Sequence, residues 1–377
     1  WSLPARDPLR PAGVASWFAL WLVAVLPAGL VAQLLTTLQA REALPAAIAG
    51  SPALAWGLYL GLWGWTIAVA MRLGWHFGLG RRRLVALGLG LLAIHGVSAW
   101  QFPDRPWEDE QAVVEEEAPA LALDQETFEA QQTVWREAVQ QLAPQREGVV
   151  DVYGLVFAPY APEDVFLRES TMVAEVLAQR FDARGRVLHL VNHPSTAVAL
   201  PWATPLNLKR AIEAIAQRMD REHDLLVVYL TSHGASNFQL AAAHPPLQVE
   251  GISPSELRRA LDEAGVRNRV IAISACYSGG WVGPLASDTT LVMTAADAEH
   301  TSYGCGKLSE LTFFGRAVFD EQLRKTRSFE QAFAAAVPVI KQREEEAGKA
   351  DGFSNPQIGV GARIRPVLQA LEQRLEP

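Results

Sequence analysis

Leu225-Leu226-Val227-Val228-Tyr229-Leu230-Thr231-Ser232-His233-Gly234 and Val270-Ile271-Ala272-Ile273-Ser274-Ala275-Cys276-Tyr277-Ser278-Gly279-Gly280 decide the reading of this chain. Short apolar, β-branched runs bounded by Ser and Gly read as strands buried on both faces of a parallel sheet. In open α/β sheets the chemistry gathers in the crevice beyond the carboxyl ends of the strands. Two neighbouring strands of this kind carry the His233 imidazole and the Cys276 thiol to one rim, which is what an activated sulfur nucleophile requires. Gly234 has no Cβ, so its N–H can stand exposed in a sharp turn. With the N–H of Cys276 it makes a candidate oxyanion hole.

The pattern around this pair alternates between strand and helix from Val149 onward. Strands are expected over Val152–Ala158, Arg186–Val191 and Thr289–Ala295, with a last one over Gln357–Ile364. Helices are expected over Glu163–Arg180, from Thr204-Pro205 to about Arg221, from Ser253 to Gly265, over Leu311–Leu323 and over Ser328–Gly348. Thr204 and Ser253 each precede a proline as N-caps, and Ser253-Pro254-Ser255-Glu256 is a capping box. Such alternation implies a mostly parallel sheet covered by helices on both faces. Before it, Asp104–Gly148 reads as an acidic spacer with the run Glu115-Glu116-Glu117. A helix capped by Asp124 follows, with Phe128, Trp135, Val139 and Leu142 on one face.

The first hundred residues differ in kind. They hold seven arginines, no lysine, and only Asp7 and Glu42 as acids, a net of +5 in a chain of −8 overall, so the rest carries −13. Eight of the twelve tryptophans fall there. Three uncharged stretches, Pro11–Ala40, Ala43–Met71 and Leu84–Pro103, each supply the roughly 20 apolar residues of a membrane-spanning helix. Several of the tryptophans lie near the span ends, where indole rings favour the interface. Three spans are more than a cleaved signal peptide explains. Arg72, Arg81, Arg82 and Arg83 mark the loop between the second and third stretches as cytoplasmic. A third span then carries the chain out, toward Asp104, Glu108, Asp109 and Glu110. The C-terminal half is therefore expected on the extracytoplasmic side of the cell membrane, the periplasmic side in a Gram-negative bacterium. His95 in the third stretch is read as part of plain anchoring. The acidic half gives no support to nucleic-acid binding.

Cys276 and Cys305 are the only cysteines. They could pair outside the cytoplasm, but two free thiols are expected. No metal-ligand spacing is present, and no metal or cofactor is expected. Ser278 is a rival nucleophile, but it lacks the glycine two residues before it that a nucleophile elbow uses, so a turn role is expected. His193, closing Val191-Asn192-His193-Pro194, reads as a turn residue. His300 could face substrate or solvent, and His223 and His244 have no chemical context.

From Val149 to Ile364 the chain resembles the legumain family of cysteine peptidases, and among them the bacterial, membrane-attached members. The resemblance rests on the strand ending in His233-Gly234, the strand ending in Ala275-Cys276, and Thr294-Ala295-Ala296-Asp297-Ala298-Glu299-His300-Thr301-Ser302-Tyr303. The last is similar to the legumain segment that forms part of the substrate cleft. The resemblance implies a caspase-like α/β fold and a polypeptide substrate. It gives Cys276 the role of nucleophile, His233 that of proton carrier, Gly234 and Cys276 amides the oxyanion, and Ser274, Ser302 and Tyr303 the substrate. Two departures stand out. Ser274 occupies the place of a pocket glutamate, which removes the basis for asparagine specificity. The segment Ala158-Pro159-Tyr160-Ala161-Pro162 lacks the asparagine that orients the histidine, so the pair is expected to act without a third member.

The organisation expected is thus a three-helix transmembrane region over 1–103, an acidic linker and amphipathic helix over 104–148, and a legumain-like domain over 149–377. The function expected is a membrane-anchored cysteine endopeptidase acting through an acyl-enzyme. The alternatives are a transamidase or ligase of the same family, and a catalytically silent peptide-binding membrane protein. The oligomeric state is left open.

Overall fold

A computed structural model describes residues 11–41, 43–45, 48, 51–101, 121–306, 309–349 and 351–376. The acidic run 115–117 and the acids between 104 and 110 lie outside the described residues. The chain divides into two compact units, Trp1–Glu115 and Glu116–Pro377.

In the first unit three helices form: α1 (Pro11–Ala40), α2 (Pro52–His76) and α3 (Arg81–Gln101). Ser51 caps α2 by accepting from the Leu54 amide, and Pro52 takes the first helical position, where no N–H is needed. Two of these helices are long and apolar enough to cross a membrane, over Ser16–Leu38 and Ala53–His76. This corrects the expectation of three. The third helix does form, but it opens on Arg81-Arg82-Arg83, and a charged first turn shortens its uncharged length. Leu30, Leu34 and Leu60 stay exposed on the two apolar helices, as suits helices that are hydrophobic all round. Indole donors join them: Trp65 Nε1 donates to the Ala24 carbonyl at 3.0 Å. His95 stacks on Trp63, with ring centroids 4.7 Å apart.

The second unit opens with α4 (Gln125–Gln140), whose first turn is capped by the Asp124 carboxylate at 2.8 Å from the Thr127 amide. Trp135, Ala138 and Val139 on this helix pack on the core. A six-stranded sheet follows, formed by β1 (Val152–Ala158), β2 (Val187–Val191), β3 (Leu225–Thr231), β4 (Asn268–Ser274), β5 (Thr290–Thr294) and β6 (Gln357–Val360). Its order is β2-β1-β3-β4-β5-β6, with every pair parallel except the last. The fold class expected from the sequence, a mostly parallel sheet flanked by helices, is the one the chain adopts.

Helices α5 (Asp164–Arg180), α6 (Pro205–Ala216), α7 (Pro254–Glu263), α8 (Phe329–Glu346) and α9 (Ile364–Leu375) cover the two faces. Leu155, Phe157, Leu226, Val228, Ile271 and Ile273 bury one face against α4, α6 and α7. Val156, Val227, Tyr229, Val270, Ala272 and Met293 bury the other against α5, α8 and α9. Every residue of β1, β3 and β4 is buried, which is why those strands read as unbroken apolar runs. The expected capping box at Ser253 and the Thr204 cap are both present.

Three details differ from expectation. The helix expected over Leu311–Leu323 is a short turn, Phe313–Gly315, continued as π-helix over Arg316–Gln322. The last strand stops at Val360. There Gly361 lies so close to the Ser287 and Asp288 carbonyls that no Cβ would fit, and the Asp288 carbonyl accepts from the Arg363 and Ile364 amides. The chain turns into α9, which the sequence reading did not anticipate; its buried face is Ile364, Leu368 and Leu371.

Candidate active site

The parallel register sets Thr231 beside Ser274, so β3 and β4 end level. The Ser232 amide donates to the Ser274 carbonyl at 3.2 Å and carries the pairing one step further. Continuing the strand alternation, His233 follows Tyr229 and Thr231 on one face, and Cys276 follows Ala272 and Ser274 on the same face. At the contact between the two tips, a Cβ on Gly234 would overlap the Cys276 carbonyl oxygen and stand 3.1 Å from the Cys276 nitrogen. Only glycine lets the two backbones touch there. Immediately after Cys276 the chain reverses through Tyr277, held left-handed at φ 55°, with its amide donating to the His300 carbonyl at 3.0 Å.

The imidazole is fixed from three sides. His233 Nε2 lies 2.7 Å from Glu163 Oε2. Tyr160 and Phe166 meet the ring edge-on, with centroids at 4.8 and 5.1 Å. Glu163 sits at the N-cap of α5 but makes no capping bond with its side chain, which leaves the carboxylate for His233. With Nε2 engaged, Nδ1 is the nitrogen left for a thiol. The sequence reading expected no third member beside the pair; the structure sets the Glu163 carboxylate against the imidazole. The residue directly after Ala158-Pro159-Tyr160-Ala161-Pro162 sets a carboxylate, rather than an amide, against the ring. Its signal was present in the sequence, a Glu at the mouth of the first crossover, where it was read only as the start of a helix.

The sulfur is equally engaged. Cys276 Sγ accepts from the Ser302 amide at 3.3 Å and lies 3.6 Å from the Ser302 hydroxyl. The Cys276 thiol is lowered to about 6. A hydrogen bond from the Cys305 thiol is the largest cause; burial opposes it, and the Ser302 donors and the His233 charge assist. The Cys305 thiol is raised in turn, by its bond to Cys276 and by burial. Both cysteines are free. Lowering a thiol raises its share of thiolate, the nucleophilic form.

Of the residues expected to meet substrate, Ser302 sits against the sulfur and is buried, whereas Tyr303 is 37 % exposed and leans on Phe313 at 5.2 Å. Ser274 is buried, with its hydroxyl 3.0 Å from that of Thr312. Beneath it lies a residue the sequence reading passed over. Glu169, buried on α5, accepts from the Tyr229 hydroxyl at 2.6 Å, the Thr231 hydroxyl at 2.7 Å and the Thr312 amide at 2.8 Å. It braces the β3 tip directly and the β4 tip through Thr312 and Ser274. Gly315 leaves it room, since a Cβ there would overlap the carboxylate.

The other candidates are placed plainly. Ser278 is buried and bonded to the Ala296 amide at 3.1 Å, a turn role. His193 caps the turn over 194–196 and bonds Asp164 Oδ1 at 3.0 Å. His300 is tied to Asp297 at 2.9 Å, and His223 to Asp220 at 2.9 Å. His244 is buried edge-on to Trp202 and is lowered to about 4 by burial. Among the described residues no group of three or more His, Cys, Asp or Glu is placed to hold a metal ion.

The Cys276 thiol and the His233 imidazole thus follow adjacent strand tips of a mostly parallel sheet. Residues 209–359 match the model of the Peptidase C13 family, and the match supports a cysteine-type peptidase of the legumain and caspase kind. Its substrate class is polypeptide. Among solved structures the chain is similar to caspase-1 from Spodoptera frugiperda, at 15 % identity and a TM-score of 0.39, over 57 % of this chain and 91 % of that one. It is also similar to a structure titled pro-sf-caspase-1, at 12 % identity and a TM-score of 0.39, over 57 % of this chain and 97 % of that one. No curated protein sequence matches.

Proposed function

We propose that this chain is a membrane-anchored cysteine endopeptidase that cleaves through an acyl-enzyme. The observation that carries the reading is the pinning of His233 by Glu163 at the strand tip beside Cys276. The Cys276 thiolate attacks the substrate carbonyl, forming the S–C bond. The oxyanion rests on the Gly234 and Cys276 amides. His233, charged by the thiol proton and stabilised by Glu163, gives that proton to the leaving amine as the C–N bond breaks. Water, with His233 now accepting its proton, releases the acid. Glu163 holds the ring in one tautomer and orientation, the part a carboxylate plays in a nucleophile–imidazole–acid arrangement. Its presence weighs against the silent, peptide-binding alternative.

The test is turnover of a peptide library by the full chain in detergent, with Cys276→Ala and His233→Ala as controls. Turnover abolished by both substitutions supports the reading, and turnover that survives Cys276→Ala overturns it. Product masses with and without an added amine distinguish hydrolysis from transamidation.

Two apolar helices anchor the enzyme in a lipid bilayer in this reading. An extracytoplasmic peptidase unit needs one more crossing after the cytoplasmic Arg72 and Arg81–Arg83 segment. With two alone, it stays on the side of Arg72 and Arg81–Arg83, the cytoplasmic side by the arginine rule. Labelling of Cys276 in intact cells with a membrane-impermeant maleimide decides the side. Labelling places the unit outside, and protection that is lost on lysis places it inside.

A further inference from the structure

The two cysteines have a relation that peptide cleavage does not require. We propose that Cys276 and Cys305 form a reversible disulfide that switches the enzyme off, a control that rests on Cys276 being the nucleophile. Ser302, whose amide lies on the Cys276 sulfur at 3.3 Å, is three residues before Cys305. Between them Gly304, at φ +85° and packed against Phe313, folds the segment back. Cys305 packs against the small buried cluster that contains Phe166, one of the rings that edge His233. The Cys305 thiol is the largest influence lowering the Cys276 thiol, and no third cysteine exists in the chain to compete. The lowered thiol is the one that attacks, and the raised one is its resolving partner.

A peroxide serves as oxidant. The Cys276 thiolate attacks one peroxide oxygen, the S–O bond forms, the O–O bond breaks, and the released hydroxide takes a proton to leave as water. Cys276 is then a sulfenic acid. The Cys305 thiol loses its proton and attacks that sulfur, so that S–S forms, S–O breaks and a second water leaves. In sum two thiols and one peroxide give one disulfide and two waters. A bridged Cys276 has no thiolate to offer a substrate, and a dithiol reductant restores both thiols by exchange.

The experiment treats the full-length chain in detergent with hydrogen peroxide, blocks free thiols with N-ethylmaleimide, and maps the digest by mass spectrometry beside peptide turnover. Expected is a crosslinked peptide pair joining Cys276 to Cys305, lighter by two hydrogens than the separate peptides. Turnover should fall to the level of the Cys276→Ala variant and recover in dithiothreitol. In Cys305→Ser, compared with its own reduced state, peroxide should instead drive Cys276 to the sulfinic acid, with no recovery. Recovery of both cysteines as maleimide adducts, or of sulfinic acid at Cys276 beside a free Cys305 in the unsubstituted protein, overturns the proposal. If Cys305→Ser does not fold, the crosslink map of the unsubstituted protein decides alone. A crosslink that leaves turnover intact keeps the bridge but refutes both the switch and the nucleophile, so the two failures are told apart.

Discussion

Glu163→Gln should separate orientation of the imidazole from its mere presence. The substitution keeps the length of the side chain and one acceptor oxygen, and removes the charge facing His233 Nε2 at 2.7 Å. A hydrogen bond to a charged group is worth about 1.5–3 kcal/mol. At roughly 1.4 kcal/mol per tenfold, loss of that stabilisation as His233 takes up the thiol proton slows kcat/KM by about 10- to 150-fold. The His233 side chain is 31 % exposed and that of Glu163 16 %, so water screens the pair in part and the effect should fall toward the lower end of that range. The assay is kcat and KM on the best library peptide, with thermal melting as control for folding. Because Glu163 touches the histidine and not the scissile bond, the loss should appear in kcat with KM little changed. Glu163→Asp should not rescue, since it withdraws the carboxylate by one methylene. A Glu163→Gln enzyme with unchanged kcat would refute the reasoning and return His233 to an unassisted base.

Three further perturbations test other parts of the site. Alkylation of Cys276 by iodoacetamide should follow a midpoint near pH 6. The thiolate is present above that pH and lost as pH falls through it, whereas a midpoint near the ordinary thiol value of about 8.5 would contradict the hydrogen-bonded sulfur. Gly234→Ala should abolish turnover and cost about 1–3 kcal/mol of stability, because its methyl must displace the Cys276 carbonyl; urea denaturation and probe labelling of Cys276 measure the two effects. Glu169→Gln leaves at least one of the Tyr229, Thr231 and Thr312 donors unmatched. It should lower stability by about 1–3 kcal/mol, and an unchanged urea midpoint would show that the carboxylate braces nothing.

The strands, and the positions of His233 and Cys276 just past their ends, were legible because burial on both faces writes itself into sequence. A run such as Val227-Val228-Tyr229-Leu230 has no polar position to spare, and the Ser-Gly punctuation after it marks where the buried strand ends. Cap chemistry was legible for the same local reason, since Ser253 and Glu256 lie within one turn of each other. What escaped was set by distance along the chain. Glu163 and His233 are 70 residues apart, and Glu169 and Thr312 are 143 apart. Neither pairing leaves a periodic trace, because one carboxylate at a helix mouth looks like any N-terminal acid and one inside a helix looks like a solvated face. The sheet makes these partners meet. Parallel strands β1 and β3 lie side by side, so the crossover helix that leaves β1 must begin beside the tip of β3. The first residues of α5 are thereby delivered to whatever residue ends β3. An acid at position 163 is thus placed by topology against the histidine at 233, and the contact between them follows from the strand order rather than from any motif around it.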